Sequence, residues 1–162
     1  MKTRKLLFVV LLAVPLLMFV APPPAAGFHP PLPFTTVESG EISYYRYGDA
    51  DFTGADLRIT TKKTWEWFWP LHTAGIDPPP PLPSINFGKD MVIVTILGYQ
   101  TSGGGPSTQV LEVSADHGCN CLHVLMEDNE TPGPLDVITN PYHIIKLRNQ
   151  PVSSVVFEHQ KP

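Results

Sequence analysis

Apolar residues are spread unevenly along this chain, and their densest run beyond the N-terminal 26 residues sets the centre of the fold. Met91-Val92-Ile93-Val94-Thr95-Ile96-Leu97 is rich in β-branched residues and lacks polar alternation. Such a run predicts a strand buried on both faces. It leads through Gly98-Tyr99-Gln100-Thr101-Ser102 into Gly103-Gly104-Gly105. Three glycines in succession allow backbone conformations that side chains forbid. The expectation is a core strand delivering a tightly turned loop to the surface. Elsewhere the pattern alternates as half-buried strands do, at Asp56–Thr60 and Thr108–Val113. The latter passes through a turn at Asp116-His117-Gly118 into Cys121–Met126, which together predict an antiparallel hairpin. Tyr142–Leu147 and Val152–Phe157 read as the last two strands, and aromatic Ile42–Tyr47 as an early one closed by a turn at residues 48–51. Glu127–Asp136, with Pro132-Gly133-Pro134, reads as an acidic loop.

A single segment carries helical spacing. Thr61 is placed to cap it, and Trp65, Phe68, Trp69 and His72 fall on one side. That stripe is expected to pack on a sheet, with Pro70 kinking or ending the helix. Five prolines between residues 77 and 83 then form a stiff connector. Six or seven strands, one helix and no βαβ alternation predict an α+β domain. Its sheet or sandwich is mainly antiparallel, with the aromatic helix packed on it.

The N-terminus changes the picture of location. Lys2, Arg4 and Lys5 precede an apolar run from Leu6 to Ala21, and Ala25-Ala26-Gly27 supplies small residues. This is the layout of a secretory signal, expected to be cut after residue 26 and leave a secreted, periplasmic or envelope protein. An uncleaved anchor is the rival reading, although the run is short for a membrane span of about 20 residues. Residues 27–40 then read as a proline-rich tether and 41–162 as one globular domain. The chain carries a net charge of −4, and the part after residue 26 has 8 Lys+Arg against 15 Asp+Glu, a net −7. That balance argues against nucleic-acid binding, which needs clustered cations to neutralise phosphates, and against attraction to anionic lipid.

Candidate chemistry is sparse. His117, Cys119, Cys121 and His123 stand two residues apart around the hairpin turn. Imidazole and thiolate suit zinc or copper, so these four are candidate metal ligands. An ordinary turn, or oxidation of the two thiols to each other in an exported protein, are the alternatives. Ser102 lacks the Gly-x-Ser-x-Gly context of a nucleophile elbow, and the glycines lack the lysine of a phosphate cradle. No nucleophile, base and orienting group stand in a recognisable arrangement, so an enzyme is not expected, nor is a cofactor.

Four segments in order carry a resemblance. They are Trp65-Glu66-Trp67-Phe68-Trp69 with His72, Asn86–Val94, Gly98–Gly104, and Asn140-Pro141-Tyr142-His143-Ile144-Ile145-Lys146. Their order and spacing over residues 42–157 resemble the C-terminal domain of the protease-complex accessory protein PrcB. Here Ser102 precedes the glycine pair, and Gly105-Pro106 follow where that pattern has an aromatic residue. The resemblance implies a non-enzymatic bacterial module, exported or lipid-anchored, that binds a secreted serine protease and aids its stability. It implies no catalytic residues. The expected docking residues are Tyr99, Thr101, Ser102, Gly103, Gly104 and Gly105, with Tyr142 nearby if the last strands pair with the central one. A protease inhibitor and a metal-binding protein are the alternative functions.

Overall fold

The computed structural model describes residues 30–49 and 51–162, so the expected signal segment and residues 27–29 of the expected tether lie outside the described residues. In chain order the elements are β1 (Phe34–Gly40), β2 (Ala55–Ile59), α1 (Lys62–His72), β3 (Asp90–Ile96), β4 (Ser107–Asp116), β5 (Cys121–Asn129), β6 (Tyr142–Arg148) and β7 (Ser154–Gln160). The first sheet is four-stranded in the order β1-β6-β3-β2, with every pair antiparallel. The second is three-stranded, β4-β5-β7, with β4 antiparallel to β5 and β7 parallel to it. The α+β expectation, mainly antiparallel with one packed helix, is the architecture found.

Two cores explain why β3 has no polar alternation. Met91 and Ile93 point to one side, where they meet Val110, Val113, Leu122, Val124 and Met126 of the second sheet. Val92, Val94 and Ile96 point the other way, against Trp65, Phe68 and Trp69 of α1. The layers are therefore helix, four-stranded sheet and three-stranded sheet, and β3 runs through the middle layer. Both faces of a strand are covered only when each has its own packing partner. Burying each large apolar side chain here contributes about 1.5–3 kcal/mol.

Thr61 caps α1, its hydroxyl accepting from the Thr64 amide at 3.2 Å. Pro70 does not end the helix, which continues to His72. Pro70 lies in the last turn on the exposed side, and Thr73 closes the end by donating from its amide and hydroxyl to the Trp69 carbonyl. Only one helical bond is lost there, at a place where water reaches the backbone. The proline connector lies over the helix and satisfies its two buried indoles. Trp65 Nε1 donates to the Pro83 carbonyl at 3.0 Å and Trp69 Nε1 to that of Pro80 at 3.2 Å.

Three sequence expectations are corrected. Residues 34–40 are not tether but strand β1, paired along β6 from Phe34↔Leu147 to Gly40↔Tyr142. Just before it, Leu32 donates to the Val113 carbonyl of β4, so this segment joins the edges of both sheets. Ile42–Tyr47 is no strand: Tyr47 and Asp49 donate back to the Tyr44 and Arg46 carbonyls in successive turns, and Arg46 has φ 55°. Tyr44 and Tyr45 are half-buried from the turn instead, Tyr45 packing edge-on to Phe52 and Trp67, while Tyr47 stays exposed. Finally, β5 runs on to Asn129, so the acidic loop is shorter than composition suggests.

Histidines tie the layers together. His143 Nδ1 accepts the Val110 amide of β4 at 2.9 Å, which fixes its proton on Nε2, facing the Thr36 hydroxyl at 2.8 Å. Burial holds its pKa below the ordinary imidazole value. His159 of β7 reaches Asp128 of β5 at 2.6 Å and Asp56 of β2 at 2.9 Å. Burial lowers its pKa, but the two carboxylates outweigh that and raise it. The signs are opposite. His143 contributes stability at high pH that is lost as pH falls through the unfolded value of about 6.5, because only the unfolded imidazole then takes a proton. His159 contributes stability below that value, lost as pH rises through its raised folded value. Removing His159 with a His159→Ala change is therefore expected to steepen the fall in urea midpoint between pH 7.5 and 5.5. An equal or shallower fall would show that His159 is not charged between its carboxylates.

Candidate functional site

The glycine loop follows from the strand pairing beneath it. β3 ends at Ile96, paired with Tyr142, and beyond that pair the two chains turn together toward one end of the sandwich. Residues 100–103 run antiparallel to residues 135–139, with Gln100 paired to Thr139 and Gly103 to Leu135. Gly103 donates to the Leu135 carbonyl at 2.9 Å and accepts from its amide at 3.3 Å. Ser102 supports the loop from below, its hydroxyl accepting from the Gly133 amide at 3.1 Å. Gly104 takes φ 76°, a left-handed conformation natural to glycine. At Gly105 an added Cβ would lie 2.5 Å from the Thr131 carbonyl oxygen and 2.6 Å from the Gly133 nitrogen. The glycines thus serve close approach between two backbones, and the loop is built rather than loose.

The residues expected to dock a partner divide into three groups. Thr101 and Gly104 are exposed at the loop, with Ser102 and Gly105 half-buried. Gly103 is buried, because Val137, Glu41 and Thr139 surround it. Tyr99 is half-buried and has its hydroxyl engaged, donating to the Arg46 carbonyl at 2.7 Å and accepting from the Gly48 amide. Tyr142 is the correction: it is only 7 % exposed and packs edge-on to His72 with ring centroids 4.4 Å apart. It lies beside the loop as strand pairing requires, but its ring faces the helix-side core.

Two clefts flank the loop. On one side Tyr47, Tyr99, Thr101 and Ile138 line an apolar notch of about 220 Å³. On the other, Ser39, Glu41, Gly104, Gln109 and His143 line a more polar cleft of about 500 Å³. Tyr47 and Ile138 of the notch are 48 % and 57 % exposed, and Leu135 and Val137, beside Gly104 and Gly103 of the loop, are 54 % and 47 % exposed. None of these four stands among the residues expected from the sequence. Their signal was three apolar residues crowded into a short proline- and glycine-bounded stretch that matches neither strand nor helix periodicity. Large apolar side chains gathered at one surface spot mark interaction sites.

A hydroxyl, an imidazole and a carboxylate do converge beneath this region. Ser43 Oγ lies 2.8 Å from His72 Nδ1, and His72 Nε2 lies 3.1 Å from Glu38 Oε2. Burial lowers the His72 pKa while Glu38 pulls it up. A neutral ring satisfies every bond: Nε2–H donates to Glu38, and Nδ1 accepts from Ser43, whose oxygen accepts the Tyr45 amide at 3.3 Å. Glu38 also faces Tyr142, whose phenol is raised well above its ordinary value by burial first and by that carboxylate second. The order of groups is that of a nucleophile relay, but Ser43 has no exposed surface for a substrate to reach. The relay holds β1, the 42–45 turn and α1 in register.

At the opposite hairpin turn, Cys119 and Cys121 are joined in a disulfide, their Cα atoms 5.3 Å apart. Of the four candidate ligands the structure gathers Cys119, Cys121 and His123, while Asp116 takes the place expected for His117. Asp116 ends β4 directly opposite Cys121, and its Oδ1 accepts the Gly118 amide at 2.6 Å. His117 is exposed in the turn itself and stands outside that group. Asp116 was missed because cross-strand register, absent from the sequence, brings it in.

No protein-family model matches this chain, and neither a curated protein nor a solved structure matches it.

Proposed function

We propose that this chain is an exported, non-enzymatic protein-binding module whose partner docks on the apolar face around the glycine loop. The observation that carries this reading is that exposed Tyr47 and Ile138 line a notch open enough for one apolar side chain, while exposed Leu135 and Val137 lie against Gly104 and Gly103 of the same loop. Rigid backing makes the face suitable for recognition: the loop is cross-bonded to residues 133–139, and β3 and β6 anchor its ends. Ordered loops on a packed scaffold lose little conformational entropy when they bind. The partner class is an extracytoplasmic serine protease, a choice that rests on the resemblance to the PrcB C-terminal domain.

The test uses the chain without its first 26 residues as bait on the native envelope and secreted fraction. Wild type and a Val156→Asp control, changed on β7 away from the loop, are expected to retain the same protease. Ile138→Asp should weaken that association at least tenfold, since losing one buried isoleucine removes about 1.5–3 kcal/mol and a decade costs about 1.4 kcal/mol. Equal retention by Ile138→Asp would remove the docking face. Following the protease over time separates two roles: a longer half-life at unchanged activity marks a stabiliser, and an immediate loss of activity marks an inhibitor.

A further inference from the structure

We infer that the β4–β5 turn is a redox-gated zinc site, closed while Cys119 and Cys121 are joined and opened when they are reduced. Asp116, Cys119, Cys121 and His123 each present a ligand atom, and those atoms all lie within 4.8 Å of one another. Two thiolates, an imidazole and a carboxylate form a tetrahedral set suited to zinc, with sulfur selecting against calcium and magnesium.

Three features beyond proximity indicate a built site. His123 Nδ1 donates to Glu158 Oε1 of β7 at 2.6 Å. That bond places the proton on Nδ1 and leaves the Nε2 lone pair for a metal, the carboxylate–histidine arrangement that orients metal-binding imidazoles. Nε2 already points at the other ligands, 3.5 Å from Cys121 Sγ and 3.9 Å from Asp116 Oδ2. Asp116 is itself held by the turn through Oδ1. Finally, a cleft of about 280 Å³ lined by Glu112, Asp116, His123 and Glu158 opens beside the ligands. Its carboxylates favour entry of a cation.

The disulfide and the ion exclude each other, because a sulfur in an S–S bond has no thiolate to offer. Opening requires a dithiol reductant. A thiolate of that reductant attacks the exposed Cys119 sulfur, forming a mixed disulfide and expelling Cys121 as thiolate; the reductant's second thiol then closes its own disulfide and frees Cys119. Two electrons pass to the protein and the reductant is oxidised. Zinc binding then releases the thiol protons still held by the pair.

The test uses the chain from residue 27 onward, reduced by a phosphine and freed from it without air. Titrated with Co²⁺ alone, it is expected to take up one equivalent with thiolate-to-cobalt charge-transfer absorption, which Zn²⁺ then abolishes by displacement. The air-oxidised chain should bind none. Cys121→Ser should remove the charge-transfer band, and Glu158→Gln, which is no ligand itself but alters the carboxylate that holds His123 Nδ1, should weaken Co²⁺ about 10- to 100-fold. His117→Ala should bind as wild type does. Any of three results overturns the inference: no stoichiometric uptake by the reduced chain, equal uptake by the oxidised one, or affinity lost with His117→Ala but kept with Glu158→Gln.

Discussion

Replacing Ile93 with aspartate is expected to leave no folded protein. Ile93 has no exposed surface and sits in the core between the two sheets, against residues of β4, β5 and β6. Truncating such a side chain costs about 2–5 kcal/mol by lost transfer and cavity formation. A carboxylate adds the penalty of burial without a cationic partner, several kcal/mol more even after its proton is retained. The sum reaches the whole stability of a domain of this size, about 5–15 kcal/mol. Ile93→Asp should therefore be recovered insoluble or without a cooperative melt. Ile93→Ala should fold and lose about 2–5 kcal/mol in urea denaturation, and Val156→Asp, 39 % exposed on β7, should change little. A cooperative, near-wild-type melt for Ile93→Asp would show that β3 does not lie between two packed layers.

β3 was legible because its pattern has one physical cause. A strand covered on both sides must be apolar at consecutive positions, and the sequence from 91 to 97 satisfies that with Thr95 as its single polar residue. The hairpin was legible for the complementary reason along β5, where Leu122, Val124 and Met126 are buried and His123, Leu125 and Glu127 between them are half-buried; on β4 a register shift between Val110 and Glu112 sets the inward Val110 and Val113 three apart. β1 was not. Its prolines upstream suggest a tether, and the register shift between Thr36 and Glu38 breaks the period of two that betrays a strand. The tyrosine segment at 44–47 failed in the other direction: strand propensity measures fit to a pleated packed surface, and here the rings find that surface from turns.

The candidate sites divide in the same way. Residues adjacent in sequence, such as Cys119, Cys121 and His123, could be grouped by spacing, because positions two apart on a strand share a face. Asp116 and Glu158 belong to the same cluster through the β4–β5 and β5–β7 registers, which no local pattern encodes. Tyr142 illustrates the limit of placing a residue without orienting it. Pairing with Ile96 puts it beside the loop, and alternation along β6 turns its ring inward. The apolar docking face was hidden for a further reason: Val137 and Ile138 sit in a stretch whose composition announces a turn, and only the 100–103 pairing gives that stretch a fixed surface.

That fixed surface depends on one contact, and Gly133→Ala should destroy it while sparing the core. A Cβ at Gly133 would stand 2.0 Å from the Gly103 carbonyl oxygen and 2.6 Å from the Gly105 nitrogen. Both are backbone atoms, so no side chain can move aside; the two segments must part. Parting breaks the paired bonds between Gly103 and Leu135 and the Gly133–Ser102 bond. At about 0.5–1.5 kcal/mol net for each of the three bonds, the loss is about 1.5–4.5 kcal/mol. Neither core contains a residue from 100–105 or 131–139, so both sheets should remain folded. Amide exchange should show faster exchange at Gly103 and Leu135 with Ile93 and Val94 still protected, and association with the proposed partner should fall with Leu135 and Val137 displaced. Gly104→Ala separates clash from conformation. Its Cβ meets nothing closer than 3.4 Å, so only the φ of 76° is penalised, at about 1 kcal/mol. Should Gly133→Ala leave exchange at Gly103 and Leu135 unchanged, the two loops would not be packed backbone to backbone, and the rigid docking face would lose its support.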